Sequence, residues 1–160
     1  MWVLTSPRSL IDGVRVKPLR VIPDERGRIM EMLRSDDDLF LGFGQAYVTT
    51  VYPGVVKAWH YHRVQTDNFV VVSGMAKVVL YDDREASATR GQVNEFFMGD
   101  RNPILVQVPP LVCHGYKGIS VGEVMLVNFP TEVYRPEQPD EYRLDPHRSG
   151  IPYDWARRDG

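Results

Sequence analysis

The sequence has a single cysteine, no long apolar run and no excess of charge of either sign. Cys113 has no second thiol with which to form an internal disulfide, so nothing calls for an oxidising compartment. Nineteen Lys and Arg against 21 Asp and Glu give a net charge of −2, which argues against a nucleic-acid platform or a polybasic membrane anchor. No stretch approaches about 18 apolar residues, and the first residues lack the pattern of a secretory leader. We therefore expect a cytoplasmic protein that binds neither nucleic acid nor membrane.

Helix-forming patterns are also scarce, whereas turn residues are frequent. The 160 residues include 13 Gly and 12 Pro, and the segments between them are short and rich in Val, Tyr and Phe. Such segments are typical of strands. A chain of this length usually forms one domain. We therefore predict an all-β sandwich or barrel of roughly ten or more short strands, in a single domain that spans residues 1–160.

The predicted strands cover 14–22 (broken at Pro18), 28–33, 44–52, 57–62, 68–73, 75–82, 93–98, 104–108, 113–117 and 123–129. Ser35 is a good N-cap and acidic residues follow it, which predicts one short helical turn over 35–40. Five prolines follow Phe129, and each lacks the N–H that a sheet needs. We therefore expect a strand core over about 14–130 and an extended surface arm over about 131–160.

Three of the four histidines are candidates for a functional site. His60 and His62 are two residues apart on a predicted strand, so their side chains point to the same face. In a small barrel one face is the interior, where a ligand can bind. His114 follows Pro109–Pro110 on another predicted strand. Two histidines at this spacing, taken alone, are more often surface residues or hydrogen-bonded core residues than parts of a functional site. The surrounding residues therefore decide between these interpretations.

The pattern of the surrounding residues resembles the two-part signature of the cupin superfamily. Its first part is matched, with intervals of five, one, four and six residues, by Gly54, His60, His62, Asp67 and Gly74. Asp67 stands where cupins carry Glu, and His114 matches the second part. The resemblance implies a jelly roll, or double-stranded β-helix, with these side chains lining its cavity.

A longer series of residues between positions 14 and 155 matches, in the same order, residues that are found together in one enzyme family. It comprises Asp24–Glu25–Arg26–Gly27, Glu31, Gln45, Gly54, His60–Tyr61, Gln65, Asp82–Asp83–Arg84, Thr89, Gly91, Val108–Pro109–Pro110, His114–Gly115–Tyr116, Tyr134–Arg135–Pro136, Asp145–Pro146 and Ile151–Pro152. Together they resemble the dTDP-4-dehydrorhamnose 3,5-epimerase family, metal-free cupins of deoxysugar nucleotide biosynthesis. The resemblance implies an isomerase without a cofactor, acting on a nucleotide-diphosphate sugar as a homodimer.

The resemblance also implies roles for individual residues. His60 falls on the general base that removes a proton beside the 4-keto group of the sugar, a task that suits a neutral imidazole. Arg26 falls on an arginine that reaches the diphosphate from the neighbouring subunit. The complete set of implied substrate-binding positions is Arg26, Glu31, Gln45, Lys57, His114, Asn128 and Tyr134.

The chain departs from the family at five points, and two of them, Lys57 in place of an arginine and Asp67 in place of a lysine, lie where the family binds phosphate. Asn128 stands where the family has its tyrosine acid, and an amide cannot deliver a proton. No counterpart is evident for the C-terminal aspartate that pairs with the family's base. His62 replaces a glutamine, and the related sugar-nucleotide 3,4-ketoisomerases use a pair of histidines at this spacing. His62 is therefore a second predicted catalytic residue, and epimerase and ketoisomerase both stay open.

Two other functions remain possible on the sequence alone. The first is a metal-dependent cupin in which His60, His62 and His114, with Asp67, bind a divalent transition metal. Imidazoles with a carboxylate suit Fe, Ni, Zn or Mn. The second is a non-catalytic relative that binds a nucleotide sugar, because the residue at the acid position is Asn128.

Overall fold

The computed structural model describes residues 9–160, which form twelve strands and no helix. The first eight residues of the predicted single domain lie outside this range. Within residues 9–160 there is accordingly no helix that could cross a membrane. The strands are β1 (Arg15–Pro18), β2 (Val21–Asp24), β3 (Gly27–Met30), β4 (Tyr47–Val51), β5 (Val56–Tyr61), β6 (Asp67–Ser73), β7 (Met75–Asp82), β8 (Val93–Gly99), β9 (Ile104–Val108), β10 (Val112–Gly118), β11 (Val124–Asn128) and β12 (Tyr142–Arg143).

Ten of the strands form two five-stranded antiparallel sheets. The first sheet has the order β1-β9-β6-β11-β4 and the second the order β12-β5-β10-β7-β8, while β2 and β3 form a separate hairpin. Strands that are distant in sequence are neighbours in both sheets, which is typical of a jelly roll. The predicted all-β jelly roll is confirmed.

The main apolar core contains inward-facing residues of both sheets. Its members include Val71, Val78, Leu80, Val106 and Leu126, each at most 2 % exposed. Alternate residues of a strand share a face, which is why Val78 and Leu80 of β7 both reach this core. Each such side chain stabilises the fold by about 1.5–3 kcal/mol. The core fixes the relative positions of the strands that carry the polar site.

The C-terminal arm is extended, but it is not confined to the surface as expected. Its strand β12 pairs with β5, so that Arg143 lies opposite His60. Trp155 is 1 % exposed, and its ring centroid lies 5.0 Å from that of Trp59 on β5. The prolines flank these paired and buried segments rather than occupy them. Burial of two indoles against each other therefore attaches the arm to the sheet.

Two local expectations are wrong. Residues 35–40 form turns instead of a helical turn, and within them Asp37 accepts hydrogen bonds from the Nζ of Lys17 and the backbone N–H of Arg34. Residues 14–22 form two strands in different sheets rather than one interrupted strand. The first of these, β1, pairs with β9 and forms one edge of the first sheet.

Candidate active site

A cavity of about 1070 Å³ is lined by residues from both sheets and from the C-terminal arm. This volume is at the upper end of the usual range for small-molecule sites, about 300–1,000 Å³, and suits a ligand as large as a nucleotide sugar. The sequence-predicted site residues that line it are Gln45, Lys57, His60, His62, Asp67, His114 and Tyr134. The remaining three, Arg26, Glu31 and Asn128, do not line it.

Strand pairing brings the histidines together. His60 on β5 lies directly opposite His114 on β10, and their ring centroids are 6.3 Å apart. His62 follows the end of β5, with its ring centroid 5.3 Å from that of His114. The close approach of β5 and β10 depends on Gly115, because a Cβ at this position would overlap Ala58. All three imidazoles therefore belong to one wall of the cavity.

A buried carboxylate joins two of these histidines. The Oδ2 of Asp67 lies 3.1 Å from the Nε2 of His62 and 3.1 Å from the Nε2 of His114. Its Oδ1 accepts hydrogen bonds from the side-chain amides of Gln65 at 2.7 Å and Asn128 at 2.9 Å. Burial by itself would raise the pKa of Asp67, but the hydrogen bonds from the two histidines hold it well below 3.8. Asp67 is therefore ionised, and both of its oxygens accept hydrogen bonds.

His62 carries a positive charge in this arrangement. Its Nδ1 faces the backbone carbonyl of Asp140 and its Nε2 faces Asp67. Both partners can only accept, so both ring nitrogens of His62 carry protons. Burial opposes this charge, but the hydrogen bond and the charge of Asp67 outweigh it and raise the pKa of His62 above 6.5. Neither N–H is free to move to a substrate without breaking a hydrogen bond.

His60 has the opposite electrostatic character. Burial and the adjacent His114 lower its pKa below 6.5, although the hydrogen bond to Glu141 acts in the other direction. The Nδ1 of His60 lies 2.9 Å from the Oε1 of Glu141, so the neutral ring donates its proton there. Among the described residues no group hydrogen-bonds to the Nε2 of His60. The lone pair on that nitrogen is therefore available to accept a proton.

The arm supplies two acidic residues that sequence reasoning missed. Glu141 binds the Nδ1 of His60, the contact that the family resemblance implies for a C-terminal aspartate. Asp140 accepts the backbone N–H groups of Arg63, Val64 and Gln65 at 2.8–3.0 Å, which fixes the loop that follows His62. The sequence signal was the acidic pair itself, which stands directly after Pro139 in an otherwise exposed segment.

Arg26 and Glu31 lie away from the cavity of their own chain. Arg26 is in the exposed turn between β2 and β3, where its Nη2 lies 2.6 Å from the Oδ2 of Asp24. Glu31 is exposed and pairs with Arg34 at 3.0 Å. Neither residue therefore lines the cavity of its own chain.

The other predicted binding residues differ in their access to the cavity. Lys57 points into it and donates hydrogen bonds to Thr49 Oγ1 at 3.2 Å and to the carbonyl of Thr50 at 2.6 Å. Asn128 is fully buried behind the wall, so the expectation that it contacts substrate is wrong. Its amide instead connects Tyr47 with Asp67.

Three of the four predicted metal ligands converge. One ligand atom from each of His62, Asp67 and His114 lies within 4.8 Å of the others, and their chemistry suits a divalent transition metal. His60 is not part of this group of converging ligand atoms. A metal bound here would have to displace the protons that the two imidazoles direct at Asp67.

Comparison with known proteins identifies the family. The polysaccharide biosynthesis C-terminal domain family matches residues 22–142. The spore coat polysaccharide biosynthesis protein SpsL of Bacillus subtilis (strain 168) is 42% identical over 146 residues, which are 91% of this chain and 97% of that protein. The protein named "Probable low-salt glycan biosynthesis epimerase Agl13", from Haloferax volcanii, is 41% identical over 147 residues, which are 91% of this chain and 94% of its own length.

Solved structures agree with this assignment. A dTDP sugar isomerase from Desulfovibrio desulfuricans G20 superposes with a TM-score of 0.88 and 35% identity, over 93% of this chain and 94% of that one. The dTDP-4-dehydrorhamnose 3,5-epimerase of Elizabethkingia anophelis NUHP1 shares the fold at 21% identity, with a TM-score of 0.78 over 95% of this chain and 86% of that one. The dTDP-6-deoxy-D-glucose-3,5-epimerase of Legionella pneumophila Philadelphia 1 shares it at 23% identity, with a TM-score of 0.80 over 92% of this chain and 80% of that one. The resemblance to sugar-nucleotide epimerases seen in the sequence is confirmed, and the chain belongs to the polysaccharide biosynthesis C-terminal domain family.

Proposed function

We propose that the protein is a cytoplasmic, metal-independent epimerase of a nucleotide-linked 4-keto-6-deoxyhexose in polysaccharide biosynthesis. One observation carries this proposal: a neutral imidazole, His60, has a free Nε2 in a cavity large enough for a nucleotide sugar. A carbon beside a ketone is acidic enough for such a base to deprotonate. The names of Agl13, an epimerase, and of the Desulfovibrio protein, a dTDP sugar isomerase, support the same class of reaction.

His60 removes the proton from the carbon next to the 4-keto group. The C–H electrons move into an enolate, and the proton binds Nε2, so the ring becomes cationic. Glu141 compensates this charge through Nδ1. Burial alone would raise the pKa of Glu141, but its hydrogen bonds with His60 and Arg143 keep it below 4.5, so the carboxylate is ionised throughout.

His62 acts as a fixed positive charge. The developing enolate is anionic, and a cation in the wall of a partly buried cavity stabilises it. Because this cation is already in place, no side chain has to move when the enolate forms. Asp67 and the carbonyl of Asp140 hold this imidazolium in place. Since both N–H groups are already donated, the direct proton transfer that a 3,4-ketoisomerase would require of His62 is disfavoured. The epimerase is therefore preferred to the ketoisomerase.

The diphosphate needs positive charge, and four cationic side chains of the same chain line the cavity, namely Lys57, Arg63, Arg135 and Arg143. Lys57 supplies one ammonium group, without the bidentate geometry of an arginine. We propose a homodimer in which Arg26 of the partner completes the diphosphate site. Arg26 is exposed, and its planar guanidinium can pair with two phosphate oxygens at once. Gln45 and Tyr134, which line the cavity, would then contact the nucleoside.

Deuterium exchange tests the proposal directly. The protein is incubated in D2O with dTDP-4-keto-6-deoxyglucose, and deuterium at the carbons beside the ketone is followed by mass spectrometry and proton NMR. Wild-type protein should incorporate deuterium, and His60→Asn should lose the exchange while dTDP binding stays within about tenfold. His147→Asn, an exposed histidine in the arm, is the matched control. Exchange that persists in His60→Asn would exclude His60 as the base.

A further inference from the structure

Tyr47 presents a phenol to the cavity in an unusual hydrogen-bonding state. The Oδ1 of Asn128 accepts the backbone N–H of Asn68 at 3.0 Å, which fixes the orientation of the amide. The Nδ2 of Asn128 therefore faces the hydroxyl of Tyr47 at 2.9 Å and the Oδ1 of Asp67 at 2.9 Å. In the first of these bonds the amide donates and the phenol oxygen accepts. The proton of the Tyr47 hydroxyl is thus not used by this bond.

The position of Tyr47 in the fold is opposite to that of His60. Tyr47 lies on β4, directly across the strand pair from Asn128 on β11, in the first sheet. His60 lies on β5 in the second sheet, and both residues line the same cavity. A sugar ring bound between the sheets would therefore present one face to the imidazole and the other to the phenol.

Inversion at carbon requires a base on one face and an acid on the other. His62 has both N–H groups donated to protein acceptors, and the Asn128 amide cannot release a proton at neutral pH. We infer that the hydroxyl of Tyr47 is the proton donor that completes inversion, which rests on the epimerase activity proposed above. The amide of Asn128 then acts as a positioning residue, because it holds the phenol and stabilises the phenolate.

The proton transfers balance without a co-reactant. His60 takes the substrate proton, and the C–H electrons form the enolate. The enolate carbon then takes the proton of Tyr47 from the opposite face, which restores the ketone and leaves a phenolate. Water returns a proton to Tyr47, and His60 releases its proton to water. No group is oxidised or reduced, and the product differs from the substrate in configuration alone.

The environment keeps this phenol protonated until it is needed. Burial and the charge of Asp67 raise the pKa of Tyr47 to about 12, although the hydrogen bond from Asn128 acts in the opposite direction. At neutral pH the hydroxyl is therefore intact when the enolate forms. A proton donor has to be protonated when the enolate forms, whereas a general base has to be deprotonated.

The test compares two phenols of the same cavity. Tyr47→Phe removes the proposed donor, and its 43 % exposed side chain on an edge strand tolerates the loss of one oxygen. Tyr116→Phe is the control, because the hydroxyl of Tyr116 donates to Thr49 Oγ1 at 3.2 Å. Each variant is incubated in D2O with dTDP-4-keto-6-deoxyglucose. Deuterium in recovered substrate and the amount of inverted product are measured separately, with dTDP affinity and thermal melting as checks of folding.

Tyr47→Phe should retain exchange in recovered substrate within about threefold of wild type and lose inverted product by at least about a hundredfold. Tyr116→Phe should change both by less than about threefold. Normal inversion by Tyr47→Phe would overturn the inference and leave His60 as the base. If Tyr47→Phe loses both deuterium exchange and inversion while its affinity for dTDP is normal, the inference is also overturned. Wild-type protein that shows no exchange would instead refute the proposed function.

Discussion

The imidazole of His60 and the carboxylate of Glu141 are 2.9 Å apart although 81 residues separate them in the chain. Glu141 comes from the segment that adds a short strand to the edge of β5, and it holds the proton on the Nδ1 of His60. This contact sets the tautomer in which the Nε2 of His60 can act as a base. The proton removal proposed for His60 therefore depends on the C-terminal arm.

Glu141→Gln should lower the rate of deuterium exchange by about tenfold to a hundredfold with little change in dTDP affinity. The amide preserves the shape of the side chain but removes the charge that compensates the protonated imidazole. Glu137→Gln, an exposed acid in the same arm, is the control. Equal effects of the two variants on exchange would show that Glu141 has no special role.

The exchange rate should depend on pH as a bell. His60 has to be neutral, and its pKa lies below 6.5, so activity is lost as the pH falls through that lowered value. His62 has to be charged, and its pKa lies above 6.5, so activity declines as the pH rises through that raised value. The exchange rate should be highest between the pKa of His60 and the pKa of His62. In His62→Gln the acid limb should remain and the decline attributed to His62 should disappear, whereas an unchanged profile would contradict its role.

Metal removal should not affect the reaction. Asp67 already accepts hydrogen bonds from Gln65, Asn128 and two histidines, so its oxygens are occupied by protein donors. We expect purified protein to contain less than about 0.1 transition-metal ion per chain and to keep its exchange rate in EDTA. Near-stoichiometric metal, with exchange that EDTA abolishes and Zn²⁺ or Mn²⁺ restores, would favour the metal-dependent alternative.

The role of Arg26 can be separated from dimer formation. A charge-assisted hydrogen bond contributes about 1.5–3 kcal/mol, so Arg26→Ala should weaken nucleotide-sugar binding by about tenfold to a hundredfold. Sedimentation should still show a dimer, because the side chain pairs only with Asp24 of its own turn among the described residues. Arg101→Ala, another exposed turn arginine, is the control. A monomer at micromolar concentration, or unchanged affinity, would refute the proposed sharing of sites.

A second carboxylate is predicted to matter for stability rather than catalysis. Asp82 is fully buried and accepts hydrogen bonds from Arg84 at 2.8 and 2.9 Å and from Thr89 at 2.6 Å. Asp82→Asn should reduce the free energy of unfolding by about 3–5 kcal/mol at pH 7, because it leaves Arg84 without its partner. The exposed neighbour offers a control, Asp83→Asn, which should have little effect.

The effect of Asp82 should also depend on pH. Burial opposes its charge, but the hydrogen bonds hold its pKa below 3.8, so the ionised form is favoured in the folded protein. Its contribution is therefore complete above the unfolded-state pKa and is lost as the pH falls below it. The difference between wild type and Asp82→Asn in urea unfolding should shrink by about 1.4 kcal/mol per pH unit below 3.8. A difference independent of pH would contradict this linkage.

Local rules account for what the sequence predicted correctly. Strand periodicity placed His60 and His62 on one face, and Gly and Pro marked the strand ends. Glu141 and Tyr47 could not be found this way, because their positions depend on the path of the arm and on the register of β4 against β11. Neither the position of Asn128 nor its residue type shows that its amide holds a phenol on the next strand. Long-range pairing therefore determines the contacts of the proposed acid and base, which local patterns leave open.

Because the arm contributes to the site, the site is completed only when the last part of the chain has been synthesised. Eleven of the twelve strands of residues 9–160 and all three cavity imidazoles are encoded before residue 130, whereas the backbone carbonyl of Asp140 and the carboxylate of Glu141, which orient the rings of His62 and His60, come after it. A nascent chain can thus assemble its barrel on the ribosome while the base still lacks its partner. In the proposed mechanism, competence for proton abstraction is therefore acquired late, and proteolytic removal of the arm would leave His60 without Glu141 and His62 without the carbonyl of Asp140, while Asp67 stays in place.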